Sequence, residues 1–571
     1  MKKVSFCIVV LFSVLFFSSY LYAANIYVDK TLSGNITNGS YSTSNRDNSG
    51  SDGDAYTTVQ AAINAMKPGD HILMRGGTYR EGHIDIPLSK NGTSWKEGDY
   101  NKLSSYPGEW AILDAQYTAR DKEPVYGATL GHAVYDDSNA FDLKYWWFER
   151  FEITGGGNSV GGAGFFGGGG PFKFRYMYIH DNYSPSGGQN PAGIKGHHWH
   201  DSLVEYCYFN NNGMQTGTNN NAANIAIYSD YNWSYTAKDG YDNNDKSHRP
   251  IARNIIRYNY FKNGVVGFKH KGGQIFSGRN PSGGHGWDDT YDTYGDKIHH
   301  NIFDGMRAYA IGANQDFAQV YNNIIINCNK GIMIQYEPAY PFYKVVTYNN
   351  TIFKTNAEPL VRYVSDTFSF EPRDYYGWDF NNIFDQGSSY WSYYNARSLN
   401  VALVGSSGPM YNLSNYTASN NYFYRPQSSE VIVLDNKTFS ASAFEDQTLT
   451  HSPRIAYQNA YVSSDPLVEG KTGAARLITR GAHSLGSGVT ISNGGIGILH
   501  PYLAGVKIPS YVGATNPDDH AWVAGVLGLA NVQNLMHGGE GAPDWVEGSS
   551  KAIGAANPTP KPVGFSFKQN P

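Results

Sequence analysis

The chain has 571 residues, a formal net charge of −5 and only 16% charged residues, so it carries no broad basic footprint for nucleic acid. Its 64 glycines, 45 tyrosines and 15% aromatic content suit many tight turns and broad ring surfaces that pack in a wall or stack on sugars. Three cysteines are too few for disulfides to hold a chain of this length, which can bury a large core without them.

In chain order, Lys2 and Lys3 precede an apolar run from Val4 to about Tyr20 that ends at Ala23 and Ala24, the pattern of an export signal over residues 1–24. The run is at the short limit for a membrane span and has no stop-transfer flank, so no stable span is expected after its removal. The mature protein is then expected outside the cytoplasm, secreted, periplasmic or on the cell surface. Cleavage removes Cys7 and leaves Cys207 and Cys328. A single bridge between them is conceivable, but the repeat register below sets them several rungs apart, which favours two buried thiols.

In the segment 52–81, Val59, Ala62, Ile63 and Met66 fall at helical spacing until Pro68-Gly69-Asp70 stops them, and HILMRGGTYRE then reads as a strand. One amphipathic helix followed by a strand looks like the N-terminal cap of secreted β-helix proteins. Such a cap covers the apolar interior and open strand edge of the first coil. Residues 25–140 are assigned to this cap and the first coils.

From about Phe141 one theme repeats: an alternating apolar strand, an Asn, apolar residues, and a Gly or Asn turn. The segments are YCYFNNNG, YNYFKNG, HNIFDGM, NNIIINCNKG, NNTIFKT, NNIFDQG and NNYFYRP. Their shared position holds Asn259, Asn301, Asn323, Asn350, Asn382 and Asn421, with Cys207 in the first. One residue type returning at uneven intervals of roughly 20 to 40 residues is the signature of a solenoid with variable loops. Asn amides stacked along its axis can satisfy one another and the turn backbone. Strands this short and this rich in Ile, Tyr and Phe exclude helical solenoids; a β-propeller would need a steadier period. The expected fold is all-β, a right-handed parallel β-helix with its core over residues 141–465. Residues 466–571 are assigned to a closing segment, SSDPLVEGKTGAARLITRGAHSLGSGV, and a C-terminal cap or lateral subdomain containing IPSYVGATNPDDHAWVAGVLGL.

Just after the turns, AGIKGHH, NIAIYSDY, VGFKHKGG, YAIGANQD and GIMIQYEP align as one strand of successive coils. With Ile194, Ile225, Ile227, Phe268, Ile311, Ile332 and Ile334 inward, alternation turns Lys195, His197, Tyr228, Asp230, Lys269, Lys271, Asn314, Gln335 and Glu337 outward. This stripe of polar and ionisable side chains is the expected binding face. The segment NGVVGFKHKGG is similar to the Gly-Phe-Lys-x-Gly-Gly stretch around the catalytic lysine of family 9 polysaccharide lyases, the pectate lyase group of right-handed β-helices. That resemblance implies Lys269 as the base, with one extra residue between it and the paired glycines. It further implies an acidic polysaccharide substrate and a calcium ion held by an aspartate cluster on the preceding coils.

The residues support a lysine in that role on chemical grounds. Eliminating an O4-linked sugar requires a base for the C5 proton of a uronic acid, and a cation to neutralise its carboxylate as charge develops. Lysine serves as a base only when its pKa is lowered, and Lys271, two residues along the same face, is a like charge that acts in that direction. Lys271 or Arg307 could also bind the carboxylate. The positions that match the family's aspartates read NPAGIKGHH and AANIAIYSDY, with Asp230 the one nearby acid. Asp288, Asp289 and Asp292, or alternatively Asp239, Asp242 and Asp245, are loop acids able to bind a hard cation through oxygen. His197, His198 and His200 are too close in sequence for a three-His zinc site on one strand, so His197 and His200 are expected to contact sugar. Two other functions remain open. A glycoside hydrolase would need two carboxylates across the groove, for which Asp230, Asp316 and Glu337 are available, and a non-catalytic adhesive protein could bind glycans through its tyrosines. The protein is expected to be a monomer.

Overall fold

The computed structural model describes residues 24–117, 127–132, 143–157, 162–184, 190–197, 199–229, 253–272, 295–315, 317–336, 344–357, 359–364 and 376–385, together with short strand segments between 404 and 462 and residues 506, 511, 513–515 and 520–537. The described strands form three long parallel sheets of fourteen, twelve and nine strands. Each coil adds one strand to each sheet in turn, for example Leu203–Glu205, Tyr208–Asn210 and Ala223–Ser229. The fold is an all-β right-handed parallel β-helix, as the uneven repeat predicts, and the regular blades of a propeller are absent among the described residues.

The interior is built from columns of like residues. The first sheet stacks Phe148, Phe174, Val204, Ile256, Ile298 and Val320 in register. The second stacks Ile153, Ile179, Phe209, Phe261, Phe303 and Ile325, with the Phe261 and Phe303 rings 4.5 Å apart and 3° from parallel. The third stacks Phe165, Ile194, Ile225, Phe268, Ile311 and Ile332. All lie in one continuous core, so each coil buries its apolar face against its neighbours.

The corner between the first and second sheets is two residues wide. Among the described residues its first residue is left-handed from Tyr176 onward: Tyr176, Tyr206, Tyr258, His300, Asn322, Asn349 and Asn381 have φ of 52 to 55°. That conformation costs an L-residue roughly 1–2 kcal/mol, and the second corner residue supplies the compensation. Asn259 Nδ2 donates to Asn301 Oδ1, Asn301 to Asn323, Asn323 to Asn350, Asn350 to Asn382 and Asn382 to Asn421, each at 3.0 Å. The same amides donate to strand carbonyls such as Val204 O and Ile256 O. At the head of this ladder the Cys207 amide donates to Asn259 Oδ1 at 2.9 Å, which places Cys207 at the shared position. Cys207 and Cys328 are both buried free thiols.

The corner between the second and third sheets has a shorter ladder that the repeat did not announce. Asn182 donates to Asn212 and Asn212 to Asn224, both at 2.9 Å. The signal was the Asn run at 210–212, which reads as an ordinary turn until burial and hydrogen bonding single out Asn212.

Helix α1, Val59–Ala65, begins at Thr58, whose side chain accepts from Ala61 N, and buries Val59, Ala62 and Ile63. The Glu81 carboxylate accepts from Val59 N at 2.7 Å and Gln60 N at 3.0 Å, favourably placed at the helix's positive end. At the other end of the chain, α2 (Ala521–Gly528) and α3 (Val532–His537) lie along the side of the solenoid. Trp522, Val523, Val526 and Leu535 cluster with Tyr258, Tyr260, Ile302 and Ile324. Asn322 and Asn349 anchor the approach to these helices by donating to Tyr511 Oη and Tyr511 O, each at 2.6 Å. The described part of the C-terminal region is thus lateral, not seated over the last coil.

Candidate active site

Backbone register fixes the outer face of the third sheet. One outward column runs Phe166, Lys195, Ala226, Lys269, Gly312, Met333. A second, two residues along each strand, runs His197, Tyr228, Lys271, Asn314. The structure therefore brings together seven residues picked out from alternation alone: Lys195, His197, Tyr228, Lys269, Lys271, Asn314 and, at strand level, Gln335 on Lys330–Tyr336. The Gln335 side chain lies outside the described residues, as do Asp230, Asp239, Asp242, Asp245, Asp288, Asp289, Asp292, Asp316, Glu337 and His198.

Lys269 follows Phe268, whose ring is in the core, so its own side chain points out of the barrel. It is nonetheless only 5% exposed. Its ammonium donates to Asn220 O at 3.0 Å and Asn221 O at 3.1 Å and lies 5.0 Å from the centre of the Tyr228 ring. The neighbours above and below in its column are small, and that of Gly312 is filled by another coil residue. A methyl group on Gly312 would come within 2.8 Å of the Tyr309 ring and 3.3 Å of Lys269 Cβ. Tyr309, which sequence reasoning passed over, thus covers Gly312, the neighbour of Lys269 in the column.

Lys195 is 2% exposed, and burial pushes its pKa down to about 7. Its ammonium lies 5.8 Å from the centre of the Phe166 ring. His197 stands edge-on to Phe166 and beside Tyr228, with centroid separations of 5.7 Å in both cases. The face combines amines with aromatic surface, a mixture that fits a sugar ring carrying a carboxylate. Lys271 is half-buried and Asn314 buried.

Arg307 sits in the turn after the strand Ile302–Asp304. Its guanidinium reaches back across two coils, donating through Nε to Gly217 O at 3.0 Å and through Nη2 to Met214 O. Burial pushes its pKa down from the usual arginine value. His200 lies away from the two columns. The strand ends at His197, so alternation no longer applies, and His200 Nδ1 is 3.2 Å from Asp201 Oδ2, with Asp201 bound in turn by Arg253.

Behind Lys269, on the inner side of the same strand, His270 Nδ1 is 2.5 Å from Asp296 Oδ2. Asp296 Oδ1 accepts from Asn254 N at 2.9 Å and Asn254 Nδ2 at 3.0 Å, and the Asp296 amide donates to Gln315 Oε1 at 3.1 Å. This buried network ties the lysine-bearing strand to the corner that begins the next coil, which fixes the backbone from which Lys269 and Lys271 project.

The resemblance noted in the sequence implies calcium, a cation that takes carboxylate and carbonyl oxygens. The described residues of the two outer columns offer amines, an imidazole, a phenol and an amide, with no carboxylate. Among the described residues no group of three His, Cys, Asp or Glu side chains is placed to hold a metal. This donor set of the described columns does not fit calcium, and the acids expected to hold it, Asp230, Asp288, Asp289 and Asp292, lie outside the described residues; charge neutralisation is assigned below to the cationic side chains.

No protein-family model matches the chain and no curated protein resembles it. Several solved structures do. Pectate lyase Pel9A is 14% identical over 65% of this chain and 77% of its own, with a TM-score of 0.35. The family 6 polysaccharide lyase Pedsa3628 from Pseudopedobacter saltans is 14% identical over 71% and 92%, with a TM-score of 0.38. A family 28 exopolygalacturonase from Yersinia enterocolitica is 10% identical over 79% of both chains, with a TM-score of 0.42. These neighbours are polysaccharide lyases and a glycoside hydrolase, and at such identities the likeness is one of fold; the chemistry has to come from the chain's own side chains.

Proposed function

We propose that this protein cleaves a uronic-acid polysaccharide by β-elimination outside the cytoplasm, with Lys269 as the base. The observation that carries this reading is the outward column in which Lys195 and Lys269 flank Ala226. Two amines on one face, two rungs apart, with side chains long enough to converge on the sugar between them and backed by Phe166 and Tyr228, supply both things the reaction needs. One amine takes the C5 proton while the other faces the carboxylate whose negative charge would otherwise oppose the carbanion forming beside it. Rungs are about 4.8 Å apart, close to the advance of one pyranose in an extended chain, so a polymer lying along the axis meets one coil per sugar. Lys195 becomes fully charged when a carboxylate approaches, because an opposite charge favours the ammonium form. Arg307 and Lys271 add further positive charge on the same side.

The lowered pKa of Lys195 favours a second reading in which the two lysines exchange roles, since an amine near pKa 7 is already half neutral at neutral pH. Both readings are tested by incubating the protein with a panel of polyuronates, with and without chelator, and following the ultraviolet absorbance of the unsaturated product. Reducing ends without that absorbance would point to hydrolysis instead. No cleavage of any acidic polymer would remove the lyase assignment.

A further inference from the structure

The loop 213–222 joins the strand Tyr208–Asn210 to the strand Ala223–Ser229. Its residues from Gln215 to Asn221 are exposed and carry no apolar side chain that could seat it on the solenoid. Basic side chains from the next two coils hold it. Lys269 Nζ donates to Asn220 O at 3.0 Å and Asn221 O at 3.1 Å, and Arg307 donates to Gly217 O at 3.0 Å and to Met214 O. Gln215 adds a contact to the Tyr183 hydroxyl. Among the partners of the two cations are thus four main-chain carbonyls, neutral acceptors standing where carboxylate oxygens would bind.

We propose that the loop 214–221 is the element that makes the site select free carboxylates: its carbonyls hold Lys269 and Arg307 until the carboxylates of a polyuronate displace them. This inference rests on the lyase reading. A carboxylate is a stronger partner for a guanidinium or ammonium group than a carbonyl dipole, whereas a neutral or methyl-esterified sugar offers nothing better than the loop already gives. The loop also governs the chemistry. While Asn220 O and Asn221 O accept from Lys269 they favour its ammonium form, which is no base. Once a carboxylate has taken Arg307 and drawn the loop away, those carbonyls no longer hold Lys269 as the ammonium, and it acts as base in the form whose proton has gone to solvent. The free amine then takes the C5 proton, the C–H electron pair becomes the C4–C5 double bond, and the C4–O4 bond breaks with O4 taking a proton from solvent.

The buried Cys207 and Cys328 allow a single exposed thiol to be introduced as Thr218→Cys and carry a nitroxide spin label in the protein from Asn25 onward, which lacks Cys7. Adding oligogalacturonate or oligomannuronate is expected to sharpen the label's spectrum, and fully methyl-esterified oligogalacturonate to leave it unchanged. Arg307→Gln should make the label mobile without ligand and reduce the preference for free acid over ester by about tenfold or more, the loss of a charge-assisted hydrogen bond. Arg307→Lys, which keeps the charge, should lie between, and circular dichroism on each variant separates a local effect from misfolding. A uronate that binds with micromolar or tighter affinity while the label stays immobile, or equal release by acid and ester, overturns the selection role and leaves the lyase reading standing. If no uronate oligomer is bound or cleaved, the lyase reading falls and the loop's role falls with it.

Discussion

Lys195 and Lys269 occupy one outward column of the third sheet, two coils apart, with only the methyl group of Ala226 between them. The pair divides the labour of the proposed elimination, and each member has its own kinetic signature. Lys269→Met is expected to lower kcat by roughly 10² to 10⁴ with little change in KM, the usual cost of a lost general base. Lys195→Met should act mainly on KM. Initial rates on the best polyuronate decide the matter, and the opposite pattern would hand the proton to Lys195.

Lys195 also leaves a mark on stability. Its pKa is about 7 in the folded protein because burial penalises the ammonium, against an ordinary lysine value near 10.4 once unfolded. Between these values the unfolded chain binds the extra proton, so stability rises with pH over that window and the full cost is borne at and below pH 7. Lys195→Met should therefore stabilise the protein at pH 6, by roughly 2–4 kcal/mol, and the gain should shrink toward pH 10. Urea unfolding of both proteins at the two pH values provides the comparison.

The Asn ladder makes a sharper structural prediction. Asn323 donates to Asn350 Oδ1, Ile298 O and Tyr321 O and accepts from Asn301, all away from solvent. Asn323→Ala leaves several of these groups buried and unmatched, at a cost of about 3 kcal/mol or more. Asn323→Asp should be no remedy, since an ionised carboxylate cannot donate to Asn350 or the carbonyls. Thermal melts of the two variants beside the parent would show it. A loss under 1 kcal/mol for the alanine variant would mean that the ladder contributes little.

His299 and His300 hydrogen-bond through their Nδ1 atoms at 2.7 Å, which requires one to donate and the other to accept, so the accepting ring is neutral. Burial, reinforced for His299 by His300, Arg257 and Lys297 and for His300 by Arg257, pushes both imidazoles down, His300 to about 3. The unfolded chain begins to take up these protons near pH 6.5. Stability is then intact above that pH and lost as pH falls toward 3, by at most about 1.4 kcal/mol per pH unit per histidine. His300→Asn suits the left-handed position, which Asn322, Asn349 and Asn381 fill in later coils. It should flatten this acid limb in denaturant titrations at pH 7.5, 5 and 4; an unchanged limb would place the acid sensitivity elsewhere. Because the His300 ring lies 5.2 Å from that of Trp522, the same acid transition should loosen α2.

Much of this protein was legible from residue order because a solenoid repeats one local decision. Ile225, Phe268 and Ile311 read as inward from alternation, and parallel register between adjacent coils carried that parity from one strand to the next. The Asn positions read as structural for the same reason: a single polar residue returning at a buried corner must find its partner in the next coil. Alternation turns His270, between two outward lysines, inward, but nothing in a linear reading showed that it meets Asp296 there or that Asn212 and Asn224 form a second ladder. Those facts depend on where each corner falls, and corner lengths vary.

The sequence by itself determined the coil, the core columns and the face on which Lys195, Lys269 and Lys271 stand, since strand periodicity and burial are properties of short segments. Only the tertiary structure decided what surrounds those amines. The carbonyls of Asn220 and Asn221 on Lys269, the reach of Arg307 back to Met214 and Gly217, and the desolvation that lowers the Lys195 pKa all join residues distant in the chain. Electrostatic environment is set by distance in space, and no periodicity along the chain encodes it.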